Sequence, residues 1–283
     1  MAMKILFTVF LILISFINNA NSITVGDTEL NIPNPTNYSA VSSDMNALLE
    51  FQKQLVGKTN DEFISFILSK DTGIALQNEI PDLERRLSVQ TAKNLVNKTV
   101  PVPISDFREL KAIVKSQNNE IINKAEDLIK EQFIDINTNI SEKQKVELAL
   151  SLSNMRPLPV HIETERSLAY SVYVKYNINN EAGMPFSIIA ITTVTFIYVK
   201  GKILFLYSFA GESDLEWSQN TSKQWANSVI AANPSDFTSK INESILGSIS
   251  IDWGEVGIKG LIGAGVGLLF GLFSWLYNRR KAS

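Results

Sequence analysis

The chain has 283 residues, 45% of them hydrophobic and 19% charged, with 26 Lys+Arg against 29 Asp+Glu for a net charge of −3; it holds no Cys and one His. That composition excludes disulfides, thiolate metal sites and cysteine nucleophiles, and leaves too few nitrogen or sulfur ligands for a zinc site. Its mildly acidic balance argues against binding a nucleic-acid phosphate backbone.

The first element is a leader. Lys4 precedes the apolar run Ile5 to Ile17, which is short for a membrane span, and the polar stretch that follows carries Ala20 and Ser22 two apart, as small residues stand at a signal-peptidase site. Residues 1–22 are therefore expected to be a cleaved secretory signal. Residues 23–41 read as short extended segments broken by Pro33 and Pro35. Met45, Leu48, Leu49, Leu55 and Val56 recur at helical spacing, with Ser42 or Ser43 to start that helix and Gly57 to end it. Strands are expected at "EFISFILS" and "ERRLSVQTAK". A single long helix is expected from Ser105, as N-cap, to Phe133, with Leu110, Val114, Ile121, Leu128 and Ile129 on one apolar face.

The second half turns to strand. In "LAYSVYVKYNI" the residues Tyr170, Val172, Val174 and Tyr176 share one face, and Ser171, Tyr173 and Lys175 the other. "FSIIAITTVTFIYV", the turn at Lys200 to Lys202 and "ILFLYSFAG" form a hairpin around Gly201. These runs are too long and too apolar for a sheet with one wet face, so helices must cover them. Ser213 to Glu216 has the capping-box pattern and opens a helix bearing Trp217, Trp225, Ala226 and Val229. Residues 235–256 read as an amphipathic juxtamembrane segment.

The last element is the most distinctive. From Gly260 to Tyr277 there is no charge, about 27 Å of helix against a hydrocarbon core of about 30 Å. Trp275 and Tyr277 stand where an interfacial belt belongs, and Arg279, Arg280 and Lys281 mark a cytoplasmic end. The expectation is a transmembrane helix over residues 257–278 with a basic tail at 279–283. Gly263, Gly267 and Gly271 recur every four residues and form a flat stripe for close helix packing, on a second copy or on a partner in the membrane. No charge lies inside the span, which argues against an ion path through it.

Residues able to do chemistry are few. His161 lies between Val160 and Ile162, where a structural or surface role outweighs a catalytic one, and no nucleophile-elbow pattern accompanies it. Glu163 and Glu165 bracket Thr164 and would share a strand face; Glu212 lies close to Asp214 and Glu216. Paired carboxylates serve acid–base work or hold a hard cation, but acids at a helix start and at a strand end are more simply solvated. No catalytic, cofactor or metal site is assigned.

The strand meander from Tyr170 to Phe209, with the Trp-bearing "SKQWANSVIAANP" behind it, resembles the C-terminal half of the PsbP-like α/β/α sandwich. The resemblance extends over roughly residues 23–234 and rests on arrangement, with no ligand residue matched. It implies a small non-catalytic accessory module. The fold expected is α+β, an antiparallel sheet covered by helices, followed by one C-terminal transmembrane helix. The function expected is a membrane-tethered extracytoplasmic binding or assembly module, with a bacterial periplasmic face favoured over a eukaryotic secretory membrane. The rivals are a tethered carboxylate-dependent hydrolase and a membrane-active oligomer.

Overall fold

The computed structural model describes residues 20–55, 58–116, 119–144, 149–179, 185–234 and 251–281. Its frame is an antiparallel sheet of eight strands in the order β3-β4-β5-β10-β9-β8-β6, with β7 also on β8. The three long strands β8 (Ser167–Asn179), β9 (Pro185–Val199) and β10 (Lys202–Gly211) form the middle. β5 (Arg86–Ala92) and β4 (Asn60–Leu68) extend the sheet beyond β10, and β3 (Tyr38–Ala40) closes that edge. On the far side stand β6 (Ala149–Pro157) and β7 (Ile162–Glu163). β9 and β10 are joined by two residues, Lys200 at φ 47° and Gly201 at φ 74°. Two successive positive φ angles define the turn whose twist matches a hairpin, which is why a glycine stands there.

Both faces of this sheet are buried, as its uninterrupted apolar strands require. One face, with Ile197, Val199, Leu204 and Leu206, is covered by a small hairpin of β1 (Ala20–Val25) and β2 (Thr28–Pro33), and by the helix Leu215–Ala232, here called α6. Trp225 of α6 packs edge-on against Phe66 at 5.4 Å and donates its indole N–H to the Pro33 carbonyl at 3.0 Å. Asn233 bonds Asn31 in both directions. A buried chain of hydroxyls seats α6: Ser171 to Thr193 at 2.8 Å, Thr193 to Ser218 at 2.7 Å, Ser218 to Ser208 at 2.8 Å and Ser208 to Ser222 at 2.9 Å. Small hydroxyl side chains bring helix and sheet close while satisfying one another's hydrogen bonds.

The opposite face carries a row of aromatic rings: Tyr170, Phe196, Phe205, Tyr207 and Phe209 are each in ring contact with a neighbour. It is covered by the C-terminal helix α7 (Trp253–Lys281). A further layer packs on α7 from outside, made of α1 (Asn46–Leu55), α4 (Ile104–Ser116) and α5 (Asn119–Gln144), whose amphipathic faces turn Phe107, Leu110, Val114, Ala125 and Ile129 inward. The fold is thus α+β, with the sheet enclosed between helical layers. α7 is a central element with protein on both sides, as a helix that is apolar all round must be unless lipid surrounds it.

Several expectations are corrected in detail. The long helix is two, α4 and α5, and residues 117–118 between them lie outside the described residues. Ser105 sits inside α4, with its hydroxyl on Asp106, and does not cap it. The capping box at Ser213–Glu216 does not form: Glu212–Asp214 is a 3₁₀ turn, and the N-cap of α6, Asp214, makes no side-chain cap bond. Asp214 instead takes two hydrogen bonds from Arg85, at 2.6 and 2.9 Å. β1 begins at Ala20, so three residues assigned to the leader pair with Asn31, Ile32 and Pro33. Residues 1–19, the remainder of the leader, lie outside the described residues, as do Gly57 and residues 235–250 of the juxtamembrane segment.

Two glycines give opposite expectations. A Cβ on Gly201 would stand 2.6 Å from Cβ of Pro101 at a positive φ, so Gly201→Val should lower stability by about 3 kcal/mol. Gly73, in α2 (Thr72–Leu76), has nothing within 4 Å of that position, so Gly73→Ala should raise stability by about 0.5–1 kcal/mol. Urea unfolding of the two variants beside wild type checks both signs.

Candidate functional site

The sequence draws attention to α7, and the structure shows what holds it. Trp253–Ser274 is, among the described residues, the helix long and apolar enough to cross a membrane, and 82% of its most apolar stretch is buried inside the protein. The stripe residues Gly263, Gly267 and Gly271, expected to meet another helix, meet the chain's own sheet and the loop before β5. A Cβ on Gly263 would collide with the Tyr207 hydroxyl and one on Gly267 with the Phe209 ring, while one on Gly271 would stand 2.9 Å from the Leu83 carbonyl. Gly260 extends the face, where a Cβ would lie 2.5 Å from Cζ of Phe196. Gly265 and Gly257 face the other way, toward Ile129 and Val114. Glycine is therefore needed toward the aromatic sheet, while on the outer side a Cβ at Gly257 would make ordinary contact with Val114 and one at Gly265 would meet the tip of the Ile129 side chain.

Without side chains in the way, the α7 main chain becomes a surface that the sheet can bond. Tyr207 donates to the Gly260 carbonyl at 3.0 Å, Thr192 to Ala264 at 3.2 Å and Tyr176 to Gly265 at 2.6 Å. Asn60 donates to the Lys259 carbonyl at 3.0 Å, and Arg86 to that of Gly267. A helical carbonyl keeps a second lone pair after its i+4 bond, and these donors use it. Near its end α7 is held by Ser274, which donates to the Pro81 carbonyl at 2.9 Å and accepts from the Leu83 N–H at 3.0 Å.

Behind these donors, β4 and β5 bury a polar strip. Arg86 is fully buried with its guanidinium 3.9 Å over the Phe209 ring, and burial pulls its pKa down to about 10. Glu62 answers it: burial pushes its carboxyl above the usual carboxylate range, while Arg86 and Ser88 pull it back. Asn60 donates to Gln90 at 3.2 Å, and Gln90 to Ser88 at 3.2 Å. These polar residues were not singled out in the sequence. The signal available was the alternation within β5, where Arg86, Ser88 and Gln90 share one face and Leu87 and Val89 the other.

The carboxylates that the sequence did single out are not brought together as a site. Glu163 lies on β7 and pairs with Lys115 of α4 at 2.8 Å, which draws its pKa down. Glu165 lies in the following turn and pairs with Arg108 at 3.2 Å. Both are exposed, and each is bound to a cation on the same helix. Glu212 is exposed in the 3₁₀ turn before α6. The ring nitrogens of His161 are enclosed and without a hydrogen-bond partner among the described residues, and burial lowers its pKa. The side chains of Trp275, Tyr277, Arg279, Arg280 and Lys281 lie outside the described residues.

Beside Leu268, Gly271 and Leu272 of α7 lies a cavity of about 620 Å³, bounded also by the strand ends of β9 and β10 and by residues 82–84.

No family model matches the chain, and no curated protein matches it. Two of the solved structures to which it is similar are a cyanobacterial PsbP from Synechocystis sp. PCC 6803 and the protein of unknown function PA94 from Pseudomonas aeruginosa. The first is 12% identical with a TM-score of 0.25, over 77% of this chain and 93% of that one. The second is 12% identical with a TM-score of 0.18, over 76% and 97%. A PsbP is thus among the similar structures, as the strand meander suggested, but likenesses of this size carry no argument about the site.

The buried pair gives a prediction in two parts. Arg86→Met leaves the Glu62 carboxyl uncompensated and should cost about 3–5 kcal/mol, while the double variant Glu62→Gln/Arg86→Met should recover most of it. The raised pKa of Glu62 means that the folded state holds its proton to higher pH than the unfolded one. Its contribution to stability is present below the unfolded value near 4.5 and is lost as pH rises through the folded value. Wild type should therefore gain on Glu62→Gln between neutral pH and about 4.5, read as the difference in urea midpoint across that range.

Proposed function

We propose that this chain is a non-catalytic binding and assembly module that works on the extracytoplasmic side of a membrane, delivered by its leader. Of the two membranes weighed, a bacterial inner membrane, with the body in the periplasm, fits better than a eukaryotic secretory one for a chain without cysteine. The observation that carries the reading is α7, a helix of membrane-spanning length and composition that the sheet holds by its main chain through Tyr176, Thr192, Tyr207, Asn60 and Arg86. Apolar side chains are equally satisfied by protein or by lipid, so the surface of α7 suits either surrounding. The two placements exclude each other. In the core the glycine stripe is occupied; in a bilayer it would be free for a second copy or for a partner's helix. In this reading α7 rests in the core and the assembled form has it in the membrane, with the amphipathic α4 and α5 left to cover the aromatic sheet face. The hydrolase alternative asked for Glu163 or Glu212 buried in a cleft, and both stand exposed, Glu163 in a surface ion pair with Lys115.

The absence of cysteine makes the test clean. A Cβ on Gly257 would lie 3.4 Å from a methyl of Val114, so Val114→Cys with Gly257→Cys should form a disulfide only when α7 is in the core. Membranes carrying wild type and the oxidised pair are washed with alkaline carbonate. Wild type should stay with the membrane, and the oxidised pair should be released and return to the membrane on reduction. Equal release of both would sink the reading and leave α7 as a core helix alone.

A further inference from the structure

The cavity beside the C-terminal half of α7 has the shape of a binding site that the fold itself does not need. At about 620 Å³ it lies within the range of small-molecule sites, roughly 300–1,000 Å³. Its walls are apolar: Leu83, Phe186, Phe209 and Leu272, with Tyr176 at the side. The hydroxyl of Tyr176 is already engaged on the Gly265 carbonyl, so what this residue offers the space is its ring.

Among the described residues that line it, charge appears only at the rim and has one sign. Asp82 and Glu84 line the mouth, and both are exposed. Arg85, between them in sequence, is turned away into its two-bonded pair with Asp214. The Glu84 carboxylate leans over Gly211, where a Cβ would stand 2.9 Å from its Oε1. Asp82 is held by accepting the Glu84 main-chain N–H at 3.0 Å. An apolar interior with a fixed acidic rim matches a ligand that is apolar along its length and positive at one end.

We propose that this cavity binds an amphiphile, with its alkyl chain between α7 and the ends of β9 and β10 and a cationic head group at Asp82 and Glu84. This goes beyond the assembly reading and stands apart from it, since the cavity exists only with α7 in the core.

Titration calorimetry below the micelle concentration, with dodecyltrimethylammonium and dodecanoate as chain-matched probes of opposite charge, tests it on the full chain. Wild type should bind the cationic probe about tenfold more tightly than the anionic one. Asp82→Asn with Glu84→Gln, both at exposed positions, should erase that preference while keeping the binding of the chain. Ala190→Phe, which fills the space from its β9 wall, should abolish binding of both probes. Should that variant fail to fold, Ile188→Gln makes a half-exposed wall residue polar and should weaken both probes together. Tighter binding of dodecanoate, or a preference untouched by the rim variant, would overturn the cationic head. No binding of either probe, or binding unchanged by the wall variants, would overturn the site.

Discussion

Everything in this fold turns on how closely a helix can approach a row of aromatic rings. The inner sheet face presents Phe196, Tyr207 and Phe209 at the height where an ordinary side chain of α7 would stand. Gly260, Gly263 and Gly267 remove that side chain, and the rings fill the gap. The approach brings hydroxyl, amide and guanidinium donors within reach of helical carbonyls. Each such bond is modest against water, but leaving these donors unpaired in a dry interior would cost far more. The aromatic row, the glycine spacing and the polar strip on β4 and β5 are therefore one solution. The outer layer follows from it, because the remaining surface of α7 is still apolar and α4 and α5 are needed to cover it.

The two sheet faces are covered by different chemistry. Under α6 the approach is made by Ser and Thr, whose hydroxyls bond each other in a continuous buried chain. Under α7 it is made by Gly, and the bonds run from side chain to main chain. A hydroxyl chain leaves each partner free to rotate into its place. Main-chain bonding instead fixes where α7 lies along its axis, because each donor is specific to one carbonyl.

Much of this was legible in the sequence. The β9–β10 hairpin is announced by Gly201 between two apolar runs, and the facing of β8 by the alternation of Tyr170, Val172, Val174 and Tyr176. The α+β class follows from those strands and the helices available to cover them. β6 was not anticipated, because a bulge between Leu152 and Asn154 breaks the period of two that marks a strand. The boundary between α4 and α5 was missed because the apolar spacing runs on through it. The role of the glycine stripe is a subtler case. A flat glycine face says that something comes close, and it does not say whether that is a neighbouring helix in lipid or an aromatic sheet in the same chain. The deciding residues, Arg86 and Tyr207, are far away in sequence, and neither is unusual taken alone. The cavity depends on where Leu83 and Phe186 fall around the helix end, which no local pattern encodes.

The position of α7 in chain order has a consequence for how the molecule is made. Every element that α7 touches precedes it. A chain emerging N-terminus first, from a ribosome or across a membrane, can pair β4, β5, β8, β9 and β10 and seat α6 while the aromatic face is still bare. Until α7 arrives, Phe196, Phe205 and Phe209 form an exposed apolar surface of the kind that invites aggregation or a chaperone. The contacts that close the core are also among the most distant in sequence, Asn60 with Lys259 and Arg86 with Gly267, and such contacts form slowly. Closure of the aromatic face therefore waits on the arrival of α7, and a stall before that helix leaves one side of the sheet bare.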